Sequence, residues 1–457
     1  MYKFTSVIAL LGIATHIPAI AGATQERTLE NGLKVIIRED HRAPVVTSQV
    51  WYRIGGSYEP DRLTGISHIL EHMMFKGTEK YGLGQFSNII SANGGDDNAF
   101  TGRDYTAYFQ NLASDRLAIA FELEADRMRN LTLPAAEYVK ELEVVKEERR
   151  LRTEDSPNTL TSEQFYAAAY VLSPYRNPII GWMNDIEMLT VDHVRAWYRQ
   201  WYAPNNATLV VVGDVDPTQV FALATRYFGA LQAEPVSQQR LPQEPAQLGL
   251  KRIQVKIAAK EPYLVMGYKT QMVTAKATEW EPYALEMLSS ILAGGASSRF
   301  SRELVRGSEI AAAVDADYSA FTRLPDLFTL DGTPAAGHSV AELEQALRQQ
   351  VERIKTELVS AEELERVRTQ EIASKVFEQD SVFYQAMQIG MLESLGRGWR
   401  VADEYIAKLN AVTAEQVQAV ARKYLTDDAL TIAILEPQPL SRTDVQPDTS
   451  GAANVIR

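Results

Sequence analysis

The chain has 457 residues, with 46 Lys+Arg against 59 Asp+Glu for a net charge of −13, 46% hydrophobic and 23% charged residues, and no cysteine. This globular composition leaves room for roughly two to four domains and excludes disordered, collagen-like and disulfide-scaffold chains. The acidic balance argues against a nucleic-acid partner, and any metal would fall to Asp, Glu or one of only six histidines.

Residues 1–23 read as a signal peptide. Lys3 starts it, residues 7–13 are apolar, Pro18 breaks the run, and Ala19, Ala21 and Ala23 offer an A-x-A cleavage pattern. The run is shorter than the roughly 20 residues a membrane span needs. A periplasmic or secreted protein, free of the membrane after cleavage, is therefore expected, with an uncleaved anchor as the alternative. Strands follow at 34–38, 45–54 and 105–110, with amphipathic helices near 115–131 and 135–153. A stretch at 233–249, rich in Pro and Gln, reads as a linker. Beyond it come strands near 252–269, 311–319 and 326–332 and helices near 280–293, 340–357 and 361–379. Residues 438–457 read as a disordered tail. Strands and helices do not alternate one for one, which points to an α+β fold. Residues 186–217 resemble 409–437: Thr190 and Thr413 each cap a helix, then come a polar turn and a strand (209–212, 430–435). Either the chain carries an internal duplication, or a common helix–turn–strand unit occurs twice.

The sharpest motif is HILEH at 68–72. On a helix, His68 and His72 at i and i+4 share one face and can approach one metal ion. Glu71 between them can take a proton from a water and later deliver it to a leaving amine. Two solvated or capping histidines are the bland alternative. Ile69, Leu70, Met73, Met74 and Phe75 make the helix apolar, so buried imidazole and carboxylate would need partners. A catalytic zinc needs a third protein ligand and an open position. His41, His193 and His338 read as surface or capping residues. On the helix LPAAEYVKELEVVKEERRLR, the apolar face is taken as Val144, Val145 and Leu151, with Glu148 among them and Glu141 beside it. Glu148 is the expected third ligand and Glu141 its supporting group, against a plain salt bridge from Glu148 to a nearby arginine.

Together these segments resemble the pitrilysin/insulinase-type zinc metallopeptidases, which include the mitochondrial processing peptidase and its bacterial relatives. The resemblance rests on VWYRIGGSYEPDRLTGISHILEHMMFKGT (50–78), GGDDNAFTGRDYTAYF (94–109), the ELEVVKEERRLR segment and LAGGASSRFSRELV (292–305). It implies two homologous α/β-roll domains, each a mixed sheet backed by helices, forming a clamshell half around a chamber. The zinc-binding peptidase domain would span 24–232 and a non-catalytic counterpart 250–437. It also implies one zinc on His68, His72 and Glu148, with Glu71 as general base assisted by Glu141. An extended peptide would pair with an edge strand at Asn98, Ala99 and Phe100, although Asn98 alone also fits a turn residue. One departure concerns the family's R-G-L-A-Y-like stretch, whose Arg and Tyr serve the oxyanion. Here 306–320 reads RGSEIAAAVDADYSA, with Ala312 at the tyrosine position and Arg306 or Tyr318 as substitutes. The chain is therefore expected to be the catalytic subunit of a heterodimer with a homologous zinc-less subunit, or to self-associate. A non-proteolytic or weakly active peptide-binding subunit is the alternative.

Overall fold

The computed structural model describes residues 23–236, 243–273 and 279–439. Nearly all of the expected signal segment, part of the linker and all of the tail beyond 439 lie outside them. The first half contains strands β1 Gln25–Thr28, β2 Lys34–Glu39, β3 Val45–Tyr52, β4 Asp96–Thr101, β5 Thr106–Ala113 and β6 Ala207–Gly213. Its helices are α1 Ile66–Met73, α2 Gln85–Ala92, α3 Leu117–Asn130, α4 Ala135–Arg149, α5 Pro157–Ala169, α6 Met183–Met188, α7 Val191–Trp201 and α8 Pro217–Phe228. The second half has β7 Lys251–Ala258, β8 Tyr263–Lys269, β9 Ala311–Asp317, β10 Leu327–Pro334 and β11 Leu430–Gln438. It adds α9 Glu281–Ala293, α10 Val340–Thr356, α11 Ala361–Glu378, α12 Val382–Ser394, α13 Val401–Asn410 and α14 Ala414–Tyr424. Strand β11 runs one residue into the segment expected to be tail. No helix among the described residues is long and apolar enough to cross a membrane.

Two mixed sheets result, in the orders β1-β2-β6-β3-β5-β4 and β7-β11-β8-β10-β9. Their topologies match strand for strand once β1 is set aside. In each, the first strand runs parallel to the last, and the remaining pairs are antiparallel. The related segments superpose in kind: Thr190 and Thr413 each form a capping box, and a single 3-10 turn joins α7 to β6 and α14 to β11. Burial of every β6 residue reflects helices on both faces of the sheet.

Each half lends a helix to the other. The side of the first sheet bearing Ile36, Trp51 and Val210 is covered by Ala386 and Ile389 of α12, with Trp399. Phe165 and Ala169 of α5 pack on Val265, Leu327 and Ala433 of the second sheet. The contacts are complementary in size. A Cβ on Gly390 of α12 would lie 2.1 Å from the Trp51 indole nitrogen, and one on Gly267 of β8 would lie 2.4 Å from the Phe165 ring. Trp51 and Gly267 hold equivalent places, opposite Thr208 and Thr431. Gly390 and Phe165 are likewise each the ninth residue of their helix. The large–small pair is thus reversed between the halves.

Candidate metal centre

Helix α1 carries the HILEH segment, and its start is built with care. Gly65 at its N-cap has φ 86°, and a Cβ there would meet the Ile180 carbonyl at 2.4 Å. Buried Glu59 accepts the backbone N–H groups of Gly65 (2.7 Å) and Ser67 (2.8 Å), two donors that the first helical turn leaves unpaired. Ile66, Ile69, Leu70 and Met73 face the core, which turns His68, Glu71 and His72 toward α4 and β4.

Helix α4 buries Tyr138, Val145 and Arg149. This corrects the face read from the sequence. Val144 and Leu151 are exposed, at 48% and 61%, and α4 ends at Arg149 in a π-type turn over Arg150–Glu154. The side chains on one flank of the true stripe, Glu141 and Glu148, meet α1.

There the imidazoles of His68 and His72 lie 4.8 Å apart, centroid to centroid, at 68°. His72 Nε2 is 3.4 Å from Glu148 Oε2 and His68 Nε2 is 3.7 Å from Glu148 Oε1. One donor atom from each of the three residues lies within 4.8 Å of the others. Tetrahedral zinc bonds of about 2.0–2.1 Å imply donor separations of about 3.3 Å, so this set fits the ion with one position left open. Burial above all, then His72 and Arg152, pushes the His68 imidazolium down to about 3, which keeps the ring in its neutral, ligating form. His72 Nδ1 lies 3.2 Å from Glu141 Oε2, and Lys76 Nζ lies 2.6 Å from Glu141 Oε1. With Nδ1 donating to Glu141, the Nε2 lone pair of His72 faces Glu148. Arg152 also reaches Glu148 Oε1, at 2.6 Å. The salt bridge to arginine is thus present on the same carboxylate that faces the two imidazoles.

Glu71 lines one cleft with these groups, and burial raises its carboxyl pKa, opposed by the hydroxyl of Thr101, which donates to Oε2. The cleft has a volume of about 710 Å³, and its further walls are residues 98–101, Arg152, Thr159, Ser162 and Tyr166, and 175–180. Strand β4 is one of the two edges of the first sheet, the other being β1. Asn98 Oδ1 accepts the N–H of Ala99 at 2.8 Å, and Phe100 packs edge-on against Trp51, away from α1. Strand β9 is the matching edge of the second sheet, where Asp315 Oδ1 accepts the Ala316 N–H. Ser289 Oγ additionally occupies the Ala316 carbonyl, so only the first edge keeps that carbonyl free of a side-chain donor among the described residues.

Several sequence expectations do not reach the cleft. Tyr318 is buried in the second core, stacked on Phe328, with its hydroxyl donated to the Gln271 carbonyl. Arg306 is exposed and bonds the Ala296 and Ser301 carbonyls, and Ala312 is exposed on β9. His41 pairs with Asp214 and Glu39, and His193 closes the α7 capping box. Sequence reading missed Glu59, Lys76, Thr101 and Arg152. Only tertiary contacts single out Glu59, Lys76 and Thr101, and Arg152 looked like any other helix-end arginine.

In the second half, α9 takes the place of α1, packing against α11, α14 and β9 as α1 packs against α4, α7 and β4. Residues 283–288 read YALEML against HILEHM at 68–73. Tyr283 and Met287 replace the histidines while Glu286 persists, accepting the Tyr405 hydroxyl at 2.7 Å. Residues 34–182 match insulinase (peptidase family M16), and residues 188–371 match the peptidase M16 inactive domain. The chain belongs to the M16 peptidase family. Among its relatives are the zinc protease PqqE of Helicobacter pylori, 29% identical over 453 residues (94% of this chain, 97% of that one), and the uncharacterized zinc protease YmxG of Bacillus subtilis, 25% identical (90% and 97%). The fold also matches a crystal structure of a protease from Helicobacter pylori, with a TM-score of 0.85 and 27% identity over 91% of this chain and 100% of that one. A peptidase M16 inactive domain from Pseudomonas fluorescens shares the fold at a TM-score of 0.81 and 19% identity, covering 92% and 100%.

Proposed function

We propose that the protein is a zinc-dependent endopeptidase for peptides or unfolded polypeptides, holding one zinc on His68, His72 and Glu148. The observation that carries this is the convergence of two imidazoles and a carboxylate beside a buried glutamate, in a cleft with an edge strand along one wall. When bound, zinc supplies Lewis-acid polarisation of the scissile carbonyl and makes the attacking water more acidic. Glu71 Oε1 takes the water's proton and returns it to the leaving amine nitrogen, while Oε2 stays on Thr101. Glu141 holds the His72 ring in its ligating orientation. The backbone of Asn98, Ala99 and Phe100 pairs with an extended substrate, whose carbonyl takes over the Ala99 N–H from the Asn98 side chain.

Neither of the expected oxyanion donors, Arg306 and Tyr318, reaches the cleft. We infer that a homologous zinc-less subunit, or a second copy of the chain, supplies an Arg/Tyr pair. The same absence favours a second reading, a peptide-binding subunit that turns over poorly by itself. The amino-terminal pattern supports export to the periplasm or beyond.

The test measures zinc content and cleavage of a quenched peptide, with the chain alone and with a co-expressed homologous subunit. The peptidase reading predicts about one zinc per chain and at least a 10³-fold loss of cleavage in Glu71→Gln, with zinc retained. Equal cleavage by parent and zinc-loaded Glu71→Gln would refute it. Full activity of the chain alone would refute the partner's role, and failure of both preparations to cleave would favour the peptide-binding reading.

A further inference from the structure

Glu71 has two chemically equivalent oxygens, and among the described residues only one of them accepts a hydrogen bond. Oε2 accepts the hydroxyl of Thr101, the last residue of β4. That hydroxyl is itself well placed. Thr101 stands opposite Thr106 of β5, and Thr106 anchors its own hydroxyl on the Ile54 carbonyl at 2.8 Å. Along β4, Thr101 lies two residues beyond Ala99, so both side chains point to the α1 side of the sheet. The strand that would register the substrate thus ends in the residue that grips the base. In the second half, the same register position holds Tyr318, whose hydroxyl goes to Gln271 rather than to Glu286.

We propose that Thr101 is a positioning residue for the general base, coupling the substrate's register on β4 to the orientation of the Glu71 carboxylate. This rests on the peptidase reading. A free carboxylate rotates about its last bond and offers either oxygen in many directions. Tethering Oε2 leaves Oε1 as the proton acceptor and fixes where it points. Because the tether is part of β4, a peptide paired along that strand brings its scissile bond to a base already aimed at it, and small misplacements of such groups cost large factors in rate. Binding of the peptide backbone and the metal does not need this hydroxyl.

The test replaces the hydroxyl by a methyl group of the same shape. Thr101→Val keeps a β-branched strand residue, and Thr101→Ser keeps the hydroxyl. Thr101→Val is expected to lower kcat by about 10–100-fold, leave KM within about threefold, and bind one zinc per chain. Thr101→Ser should restore most of the rate. In a Glu71→Gln background, which separates binding from turnover, Thr101→Val should leave the affinity for the same peptide unchanged. Parental kcat in Thr101→Val overturns the proposal, as does a loss confined to KM, to zinc content or to peptide affinity. So does a Thr101→Ser variant as slow as Thr101→Val. An inactive parent is a different result: it refutes the peptidase reading, and this inference with it.

Discussion

His68 and His72 reach one point in space because a helix repeats every 3.6 residues, and that much was legible in five letters of sequence. Glu148 was also singled out, but for a partly wrong reason. Val144 and Leu151, taken as its apolar neighbours, are exposed, and the packed stripe is Tyr138, Val145 and Arg149. Helical periodicity gives a stripe's spacing, and the neighbouring helices decide which of two adjacent stripes is buried. The supporting contacts were not legible. Glu141 lies between Lys76 Nζ and His72 Nδ1, at 2.6 and 3.2 Å, and in metal sites such partners orient a ligating imidazole. Glu141→Gln should therefore weaken zinc binding by about 10–100-fold while the protein stays folded, measured by competition with a chelator. Unchanged zinc affinity would show that His72 is held by other means.

At the scale of single elements, α1 and α9 are the same device with different contents. One carries two imidazoles and a glutamate facing a cleft. The other keeps only the glutamate, Glu286, enclosed near Tyr405 and Lys375, and burial pushes its carboxyl up to about 7 from an ordinary 4.5. The sign of the consequence follows from proton binding. Between pH 4.5 and 7 the folded protein keeps this proton and the unfolded chain has lost it. The contribution to stability is thus fully present below pH 4.5 and is lost as pH rises through 7. Each unit of separation is worth about 1.4 kcal/mol. Glu286→Gln should raise the melting temperature at pH 8 relative to parent and flatten the slope between pH 4.5 and 7. A variant with the parental pH profile would mean that the carboxyl titrates normally. The sequence marked the duplication through Thr190 and Thr413 but not through α9, because its replaced histidines erase the signature that made α1 conspicuous.

For the whole molecule, the exchange of α5 and α12 matters most. Each sheet has one side covered by a helix from the other half. Two further ties between the halves lie next to the cleft: Arg103 to Asp326 at 3.0 Å, and the Arg323 guanidinium 3.6 Å above the Tyr58 ring. Such halves should not melt separately. Calorimetry is expected to show one cooperative transition. Gly390→Ala, which drives a methyl group into the Trp51 indole, should lower it by about 1–3 kcal/mol without splitting it. Two resolved transitions would show that the exchanged helices contribute little to coupling. The reversed pairs, Trp51 with Gly390 and Gly267 with Phe165, also penalise docking either helix on its own half's sheet, since two large groups would then meet on one sheet and two glycines on the other.

The sequence by itself determined the vocabulary of the candidate site: two histidines one helical turn apart, a glutamate between them, a second glutamate-bearing helix, and two related α+β halves. These depend on spacing along one chain, which periodicity exposes. Tertiary structure alone decided which flank of α4 meets α1, that Thr101 and Glu59 hold the ends of the site, that Tyr318 and Arg306 fall away from the cleft, and that the halves exchange helices. Those outcomes depend on contacts between residues far apart in sequence, where shape and burial, rather than local pattern, choose among arrangements that the same letters would allow.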